Sequence, residues 1–387
     1  MKIVYIYPQV AERAGTERIL TDKMNYLAEQ KEYDIALLTY EQCDRPLAFP
    51  LSSKVRHVDM DIRYYPYYRN NFLYRQYKWR QLDRQLQGKF NHFMEDFLPD
   101  VVVTTTSYTR PLSMIVNCPV ECFRVLESHI DRKYIMDNNP LSQRSVWQRL
   151  QGMLDMHKLT TNARKFDVLV ALNQSDAEDW SKYTKTMVIT NMVHLNPTNK
   201  LSNLDRKHVV FAGRYTIQKA IPDLLKVWEI VHSKHQDWHL DLYGGGEMKD
   251  VIVDMADRLH ANIQIHDSDL SIFDRYMESS VFVLTSLYEP FGLVLPEAMS
   301  CGLPVVAFDC PEGPSQIITD GKDGYLIKGR NIEQFADKLC CLIESYEIRK
   351  QMGQAAAQSS QRYSPSVIMP LWVNLFENLL KGHPNDY

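Results

Sequence analysis

The chain runs through an alternation of strand-like and helix-like segments and then starts that alternation again. "KIVYIY" (Lys2–Tyr7) is a compact run of β-branched and aromatic residues. A loop follows it, and "GTERILTDKMNYLAEQ" then predicts a helix opening near Gly15. "DIALLTY" (Asp34–Tyr40) is a second strand. Parallel strands need a crossover connection, so this β-α-β order predicts a parallel sheet. "DVVVTTT" (Asp100–Thr106) and "DVLVAL" (Asp167–Leu172) extend it. After the latter, Ser175 with Glu178 three positions on predicts a capping box and a helix start.

The pattern restarts at "KHVVFAG" (Lys207–Gly213). A helix in "IPDLLKVWEIVHSKH" follows, with Pro222 suited to its first turn. Strands are predicted in "WHLDLYGGG", "ANIQIH" (Ala261–His266), "SSVFVLTS" (Ser279–Ser286) and "LPVVAFD" (Leu303–Asp309). Two such series predict two doubly wound α/β domains, at 1–195 and 205–363. The polar segment "HLNPTNKLSNLDRK" (His194–Lys207) is the natural linker. The last helix, 364–387, carries an apolar stripe at Ile368, Trp372, Leu375 and Leu379, and that stripe must dock on something.

Composition narrows the function classes. Of 387 residues, 45% are hydrophobic and 24% charged, which is ordinary for a soluble protein with real cores. The net charge of −4 gives no reason to expect nucleic acid. Seven cysteines without a C-x-x-C pair make neither a zinc site nor a disulfide framework, so a reducing cytoplasm is expected. No window reaches the roughly 18 apolar residues of a membrane span, so any membrane contact must be peripheral. "MKIVYIYPQV" reads as a buried strand rather than a signal peptide.

The segment "SLYEPFGLVLPEAMSCGLPVVAFDC" (Ser286–Cys310) carries the chemistry. It joins two predicted strands through a short helix, expected to begin near Phe291–Gly292 and to end at Cys301–Gly302. Ligands of such sheets bind at the carboxyl ends of the strands. Gly292 lets a ligand approach the backbone. Glu289 lies just ahead of the helix and Glu297 inside it. Two acceptors flanking a phosphate-binding turn suit a sugar nucleotide, which has hydroxyl pairs on both sides of a diphosphate. Two helix-capping carboxylates would look the same, so the pattern alone leaves both readings open. "FAGRYTIQK" adds Arg214 and Lys219 just past another strand end, where cations can clamp a diphosphate leaving group. Each alone is also what a solvated loop charge looks like. "YGGGEMKD" is weak evidence for a dinucleotide, because no ribose-binding acid follows it.

Together "EPFGLVLPE" and "FAGRYTIQK" resemble the E-x7-E and G-R-…-K segments of retaining glycosyltransferases of family 4, which have the GT-B fold. The resemblance covers Val209–Ile327 and is weaker over the first domain. It implies two Rossmann-like domains facing a central cleft, with the last helix crossing back to the first. It implies that Glu289 binds hydroxyls of the transferred sugar, helped by the amides of Phe291, Gly292 and Leu293. It implies that Glu297 binds the ribose, that Arg214 and Lys219 hold the diphosphate, and that the backbone near Gln264–His266 faces the base. Gly15 and Thr16 match a glycine loop near the diphosphate, although Ala14 replaces the first glycine of the usual pair. No metal or other cofactor is implied. Front-face substitution, with the departing phosphate taking the acceptor proton, is the expected route to retention.

On the acceptor side, "RVLESHIDRKY" (Arg124–Tyr134) is expected to follow a strand. Glu127, His129 and Asp131 could approach an acceptor hydroxyl, or could be ordinary loop polarity. By analogy with the family His129 is the first choice as catalytic partner to Glu289. Arg63–Phe90 holds seven basic residues, one acidic residue and many aromatics, a composition that suits the cytoplasmic face of an inner membrane and a lipid-diphosphate-linked acceptor. Leu82, Leu86, Phe90, Phe93 and Phe97 also form a helical stripe, which a core-packing helix would need. The expected function is transfer of a hexose or N-acetylhexosamine, from a UDP-linked donor, to a growing bacterial surface glycan. Rivals are a sugar-nucleotide epimerase of the same fold, a non-catalytic nucleotide-sugar-binding subunit and a phosphorylase.

Overall fold

The computed structural model describes residues 1–67, 70–135, 146–198, 200–269 and 271–382. Positions 68 and 69 of the basic aromatic stretch, position 199 of the linker and positions 383–387 of the expected last helix lie outside the described residues. The chain divides into two compact units: Met1–Thr190 with Met369–Tyr387, and Asn191–Ile368.

The first unit is built on seven strands: β1 (Lys2–Ile6), β2 (Asp34–Thr39), β3 (Val55–Asp59), β4 (Val101–Thr105), β5 (Phe123–Ser128), β6 (Val168–Ala171) and β7 (Thr186–Val188). All pair in parallel, in the order β3-β2-β1-β4-β5-β6-β7. The central strands are buried on both faces, which is why they read as unbroken apolar runs rather than alternating ones. β3 and β7 were not expected. β3 ("VRHVD") is half polar and sits at the sheet edge, and β7 has three residues.

The second unit has six parallel strands: β8 (His208–Ala212), β9 (His239–Tyr243), β10 (Ile263–His266), β11 (Val281–Leu284), β12 (Val305–Phe308) and β13 (Gly324–Ile327). Their order is β10-β9-β8-β11-β12-β13. β13 was not expected either, because Gly324 opens it among the turn-forming residues of "TDGKDG". The order reverses between β8 and β11, and it is at the carboxyl ends of strands around such a point that doubly wound sheets generally take their ligands.

Several local expectations are corrected. The helix after β6 spans Gln174–Trp180, and its cap is Asn173, whose side chain accepts from the Asp176 amide at 2.7 Å; Ser175 lies inside the helix. The helix Phe72–Phe97 buries Leu86, Phe90, Phe93 and Phe97, so the lower half of the basic stretch packs into the core. In the helix Pro365–Leu380 the whole expected stripe, Ile368, Trp372, Leu375 and Leu379, is buried.

Arg124 to Ser128 is strand β5, not the loop beyond it. That places Glu127 in the core, where Lys23 of the helix Gly15–Gln30 donates to its Oε2 at 2.6 Å and both side chains are 2% exposed. Lys23 also lies 3.5 Å from the centroid of the Trp372 ring. Burial pushes the Glu127 carboxyl up, but Lys23 and His129 outweigh it and hold the group below the usual range. Burial draws Lys23 down, with Glu127 opposing. A buried carboxylate stripped of its cation is costly. Lys23→Met should therefore lower stability by about 3–5 kcal/mol, and adding Glu127→Leu should restore much of that. Denaturant midpoints of the two variants test this. Because the folded Glu127 is the stronger acid, its contribution is present above the unfolded carboxyl's range and is lost as pH falls through the folded value.

Candidate active site

In the second unit, two loops leave adjacent strand ends at the point where the sheet order reverses. One follows β8 and carries Arg214 and Lys219. The other follows β11 and carries Glu289. They are stitched together at four places. The Leu287 amide donates to the Gln218 carbonyl at 2.8 Å, and Gln218 Nε2 donates to the Tyr288 carbonyl at 2.7 Å. Thr285 Oγ1 donates to the carbonyl of Lys219 at 3.0 Å and to that of Ala220 at 3.3 Å.

At the centre of this seam Lys219 Nζ forms an ion pair with Glu289 Oε1. Ser286 Oγ donates to the same oxygen at 2.6 Å. Glu289 is 4% exposed, so its charge needs both partners. The lysine ammonium has three protons and can hold the carboxylate while still reaching a second anion. Cys310, beside this pair, is pushed up to about 12 by burial, with Glu289 adding to the effect, and so remains a thiol. Arg214 is exposed at the same edge.

The helix after this loop is Val294–Ser300, so it opens later than expected and has seven residues. The amides of Phe291, Gly292 and Leu293 lie ahead of it, not in its first turn, and make no backbone hydrogen bond among the described residues. Gly292 has φ +91°, a conformation glycine adopts without a Cβ penalty. The Phe291 ring is buried edge-on against Tyr363, 5.2 Å between centroids, so only its backbone is free to face a ligand. Glu297 is buried in the first turn of the short helix.

The loop after β12 docks onto the Glu289 loop. The Gly313 amide donates to the Glu289 carbonyl at 2.8 Å. A Cβ at Gly313 would lie 2.2 Å from the Phe291 carbonyl oxygen, so only glycine fits. Glu312, just before it, has φ +77°, an outlier of the kind that clusters at functional sites.

His266 ends β10. Its ring stacks on Tyr243 at 4.4 Å and 11°, and its Nε2 lies 3.3 Å from Asp241 Oδ1. The buried Asp241 also receives His208 Nδ1 at 2.6 Å. Tyr243 and His266 line an open cavity of about 400 Å³ with Asp267, Ser268, Asp269 and Arg275. The "GGG" after β9 is structural: a Cβ at Gly244 would lie 1.9 Å from the Gly213 carbonyl oxygen, and one at Gly246 would lie 2.5 Å from that of Tyr215.

The remaining expected residues belong to the first unit. Gly15 and Thr16 open the helix Gly15–Gln30 beyond β1, with Ala14 as its uncapped start. His129 is buried just past β5, with Nε2 2.9 Å from the Glu127 oxygen that Lys23 also holds. Asp131, by contrast, is taken up by the fold: Oδ1 accepts from Asn173 Nδ2 at 3.1 Å. Sequence reasoning brought together Arg214, Lys219, Glu289, Glu297 and the 291–293 amides. It missed Gln218 and Ser286, whose polar side chains at strand ends were the available signal. It also missed Lys23, although Ile19, Lys23 and Leu27 share one helix face. Among the described residues one group could hold a metal, His235, Cys340 and Glu344, with ligand atoms within 4.8 Å of one another. It lies at the far end of the helix Ile221–Lys234 from Lys219.

Known proteins sharpen this. Residues 195–359 match the family model described as glycosyl transferases group 1. An uncharacterized glycosyltransferase of Haemophilus influenzae is 26% identical over 378 residues, which are 96% of this chain and 98% of that one. The amylovoran biosynthesis glycosyltransferase AmsD of Erwinia amylovora is 35% identical over 193 residues, 48% of this chain and 54% of its own. The chain thus spans nearly all of the first relative and about half the length of the second. A crystal structure of a TarM variant of S. aureus, in complex with fondaparinux, alpha-GlcNAc-glycerol and UDP, superposes with a TM-score of 0.75 at 16% identity, covering 97% of this chain and 99% of that one.

Two parallel-sheet α/β units of this kind define the GT-B class. The protein is a glycosyltransferase, and the residues that match the group 1 model lie in its second unit. The Gly313 contact yields a test. Gly313→Ala forces a methyl group into the Phe291 carbonyl and should cost about 1–3 kcal/mol through overpacking. A thermal melt unchanged from the parent would contradict the docking of the two loops.

Proposed function

We propose that this glycosyltransferase moves a hexose or N-acetylhexosamine from a UDP-linked donor to a glycan or lipid-linked acceptor in bacterial surface polysaccharide synthesis, with retention of anomeric configuration, as family 4 enzymes with the E-x7-E pattern do. The observation that carries this reading is the buried Glu289, held by Lys219 and Ser286 where the sheet order reverses. AmsD, by its name, serves amylovoran biosynthesis, and the TarM complex holds UDP together with fondaparinux and alpha-GlcNAc-glycerol. Both support the choice of donor and setting.

In this reading Glu289 accepts hydrogen bonds from hydroxyls of the transferred sugar. The amides of Phe291, Gly292 and Leu293 add donors beside it. Arg214 and Lys219 hold the diphosphate, and Glu297 takes the ribose hydroxyls. The base enters the cavity beside His266. The acceptor oxygen bonds to the anomeric carbon on the face from which the diphosphate leaves, and the acceptor proton passes to the departing phosphate oxygen. The two cations neutralise the charge that develops on that leaving group, so no metal is required. His129, oriented by Glu127, positions the acceptor hydroxyl. Glu289 is already committed to Lys219 and Ser286, which disfavours its use as a covalent nucleophile.

Peripheral membrane contact falls to the upper part of the helix Phe72–Phe97 and the turn before it. Tyr65, Leu73, Tyr74 and Tyr77 are exposed there, and Lys78 lies 5.7 Å from the Tyr74 ring. Aromatics beside cations suit an anionic headgroup layer. Among the described residues no helix is long and apolar enough to cross a membrane.

A panel of nucleotide sugars scored by UDP release, with and without lipid-linked acceptors and in EDTA, tests the assignment. Acceptor-dependent UDP release that persists in EDTA is expected. Conversion of the donor without acceptor would instead indicate an epimerase. Glu289→Ala should lower turnover by about 100-fold or more while UDP still binds. Loss of UDP affinity with normal turnover at saturation would overturn that role. Glu297→Ala should raise the donor KM by about 10- to 100-fold, the loss expected for charge-assisted hydrogen bonds.

A further inference from the structure

Arg330 stands outside every motif discussed so far, in the turn after β13. Its guanidinium touches three neighbouring elements of the second unit. Nη1 donates to the Ser286 carbonyl at 2.9 Å, and Nη2 donates to the Thr285 carbonyl at 3.0 Å. Nη2 also donates to Asp223 Oδ2 at 2.6 Å, on the helix that follows Lys219. The guanidinium carbon lies 4.5 Å from the centroid of Phe308, at the end of β12.

The two residues it grips are the two that organise the site. The carbonyls of Thr285 and Ser286 accept from Arg330, while their hydroxyls donate to the Lys219 loop and to Glu289. Thr285 holds the Lys219 loop by its backbone, and Ser286 holds the Glu289 carboxylate. The pair thus transmits the position of one guanidinium to both charges of the ion pair. Arg330 has φ +53°, a left-handed conformation that glycine or asparagine adopts more cheaply. An arginine held in that conformation is an outlier of the kind that clusters at functional sites. Asp223 orients the fork in turn, and Arg330 and Lys226 hold that carboxyl below its usual range against the opposing effect of burial.

We propose that Arg330 is a positioning residue for sugar recognition, acting through Thr285 and Ser286 to set the Glu289–Lys219 pair. It rests on the reading of Glu289 as the partner of the transferred sugar. It makes a prediction that a general stabilising role does not. The uridine is held elsewhere in this reading, while Lys219 also meets the diphosphate, so loss of Arg330 should weaken UDP-sugar by more than it weakens UDP, removing the affinity that the sugar adds.

The experiment is calorimetric titration of UDP, UDP-N-acetylglucosamine and UDP-glucose into the full chain and its variants. Arg330→Ala is expected to weaken the better-bound UDP-sugar about 10-fold, the lower end for loss of an orienting partner, and UDP alone by clearly less. Arg330→Lys, which keeps the charge and loses the fork, should fall in the same direction. Because the side chain is 29% exposed, guanidinium ion at concentrations well below those that unfold proteins should restore the increment to Arg330→Ala. Combined with Glu289→Gln, Arg330→Ala should add no further loss. Equal weakening of UDP and UDP-sugar, or no recovery with guanidinium, overturns the proposal in favour of a structural role. Loss of the increment in Glu289→Gln but not in either Arg330 variant overturns it while leaving the Glu289 reading intact. Wild-type sugar affinity in Glu289→Gln overturns both.

Discussion

A carboxylate removed from water has to be answered by a cation, and the second unit is arranged around one such answer. Glu289 is buried at the end of β11, and Lys219 reaches it from the loop after β8. The attraction is strong because both groups are largely shielded, and the pair is tolerable only because Ser286 supplies a further hydrogen bond. Everything nearby serves that juxtaposition. Gln218 and Thr285 stitch the two loops, Gly313 lets a third loop press against the Glu289 backbone, and Arg330 anchors the strand end from behind. Such a pair is preorganised. On the proposed reading, a donor would meet there an acceptor and a cation whose orientation folding has already fixed.

The first unit repeats the device with different parts. Lys23, Glu127 and His129 form a buried chain of contacts, roofed by the Trp372 ring. Glu127 is not a loop residue reaching outward but a strand residue that fixes the imidazole. This explains how a histidine just past a strand end can be held in one orientation while being almost fully buried. In both units a lysine from one element meets a glutamate from another, and the residue of functional interest is oriented by that meeting.

How much of this could be read in advance depended on the range of the interaction. Strands buried on both faces announce themselves as apolar runs; β5 was nonetheless read as a loop, but nine others were visible in that way. β3, β7 and β13 were not, because Arg56 and His57 interrupt one, three residues make up another, and Gly324 opens the third among turn residues. The capping residue of the helix Gln174–Trp180 was misplaced by two positions, since Asn173 and Ser175 both satisfy the local rule and only the fold decides between them. Glu289, Glu297, Arg214 and Lys219 were legible because each follows a strand end at a spacing that resembles a known family. That Lys219 and Glu289 form a pair was not, as they are 70 positions apart in the chain. Arg330 gave no sequence signal at all, because two of its partners are backbone carbonyls, which every residue has, and the third, Asp223, is 107 positions away in the chain.

The central claim is that the reversal point of the second sheet is where the donor sits, with its charges met by groups already in place. The most direct measurement is a crystal structure of the protein soaked with a UDP-sugar. The account predicts the diphosphate against Arg214 and Lys219, the ribose hydroxyls on Glu297, the base beside His266, and the sugar within hydrogen-bond distance of Glu289. A nucleotide bound away from the loops that follow β8 and β11, with the Lys219–Glu289 pair untouched, would contradict it.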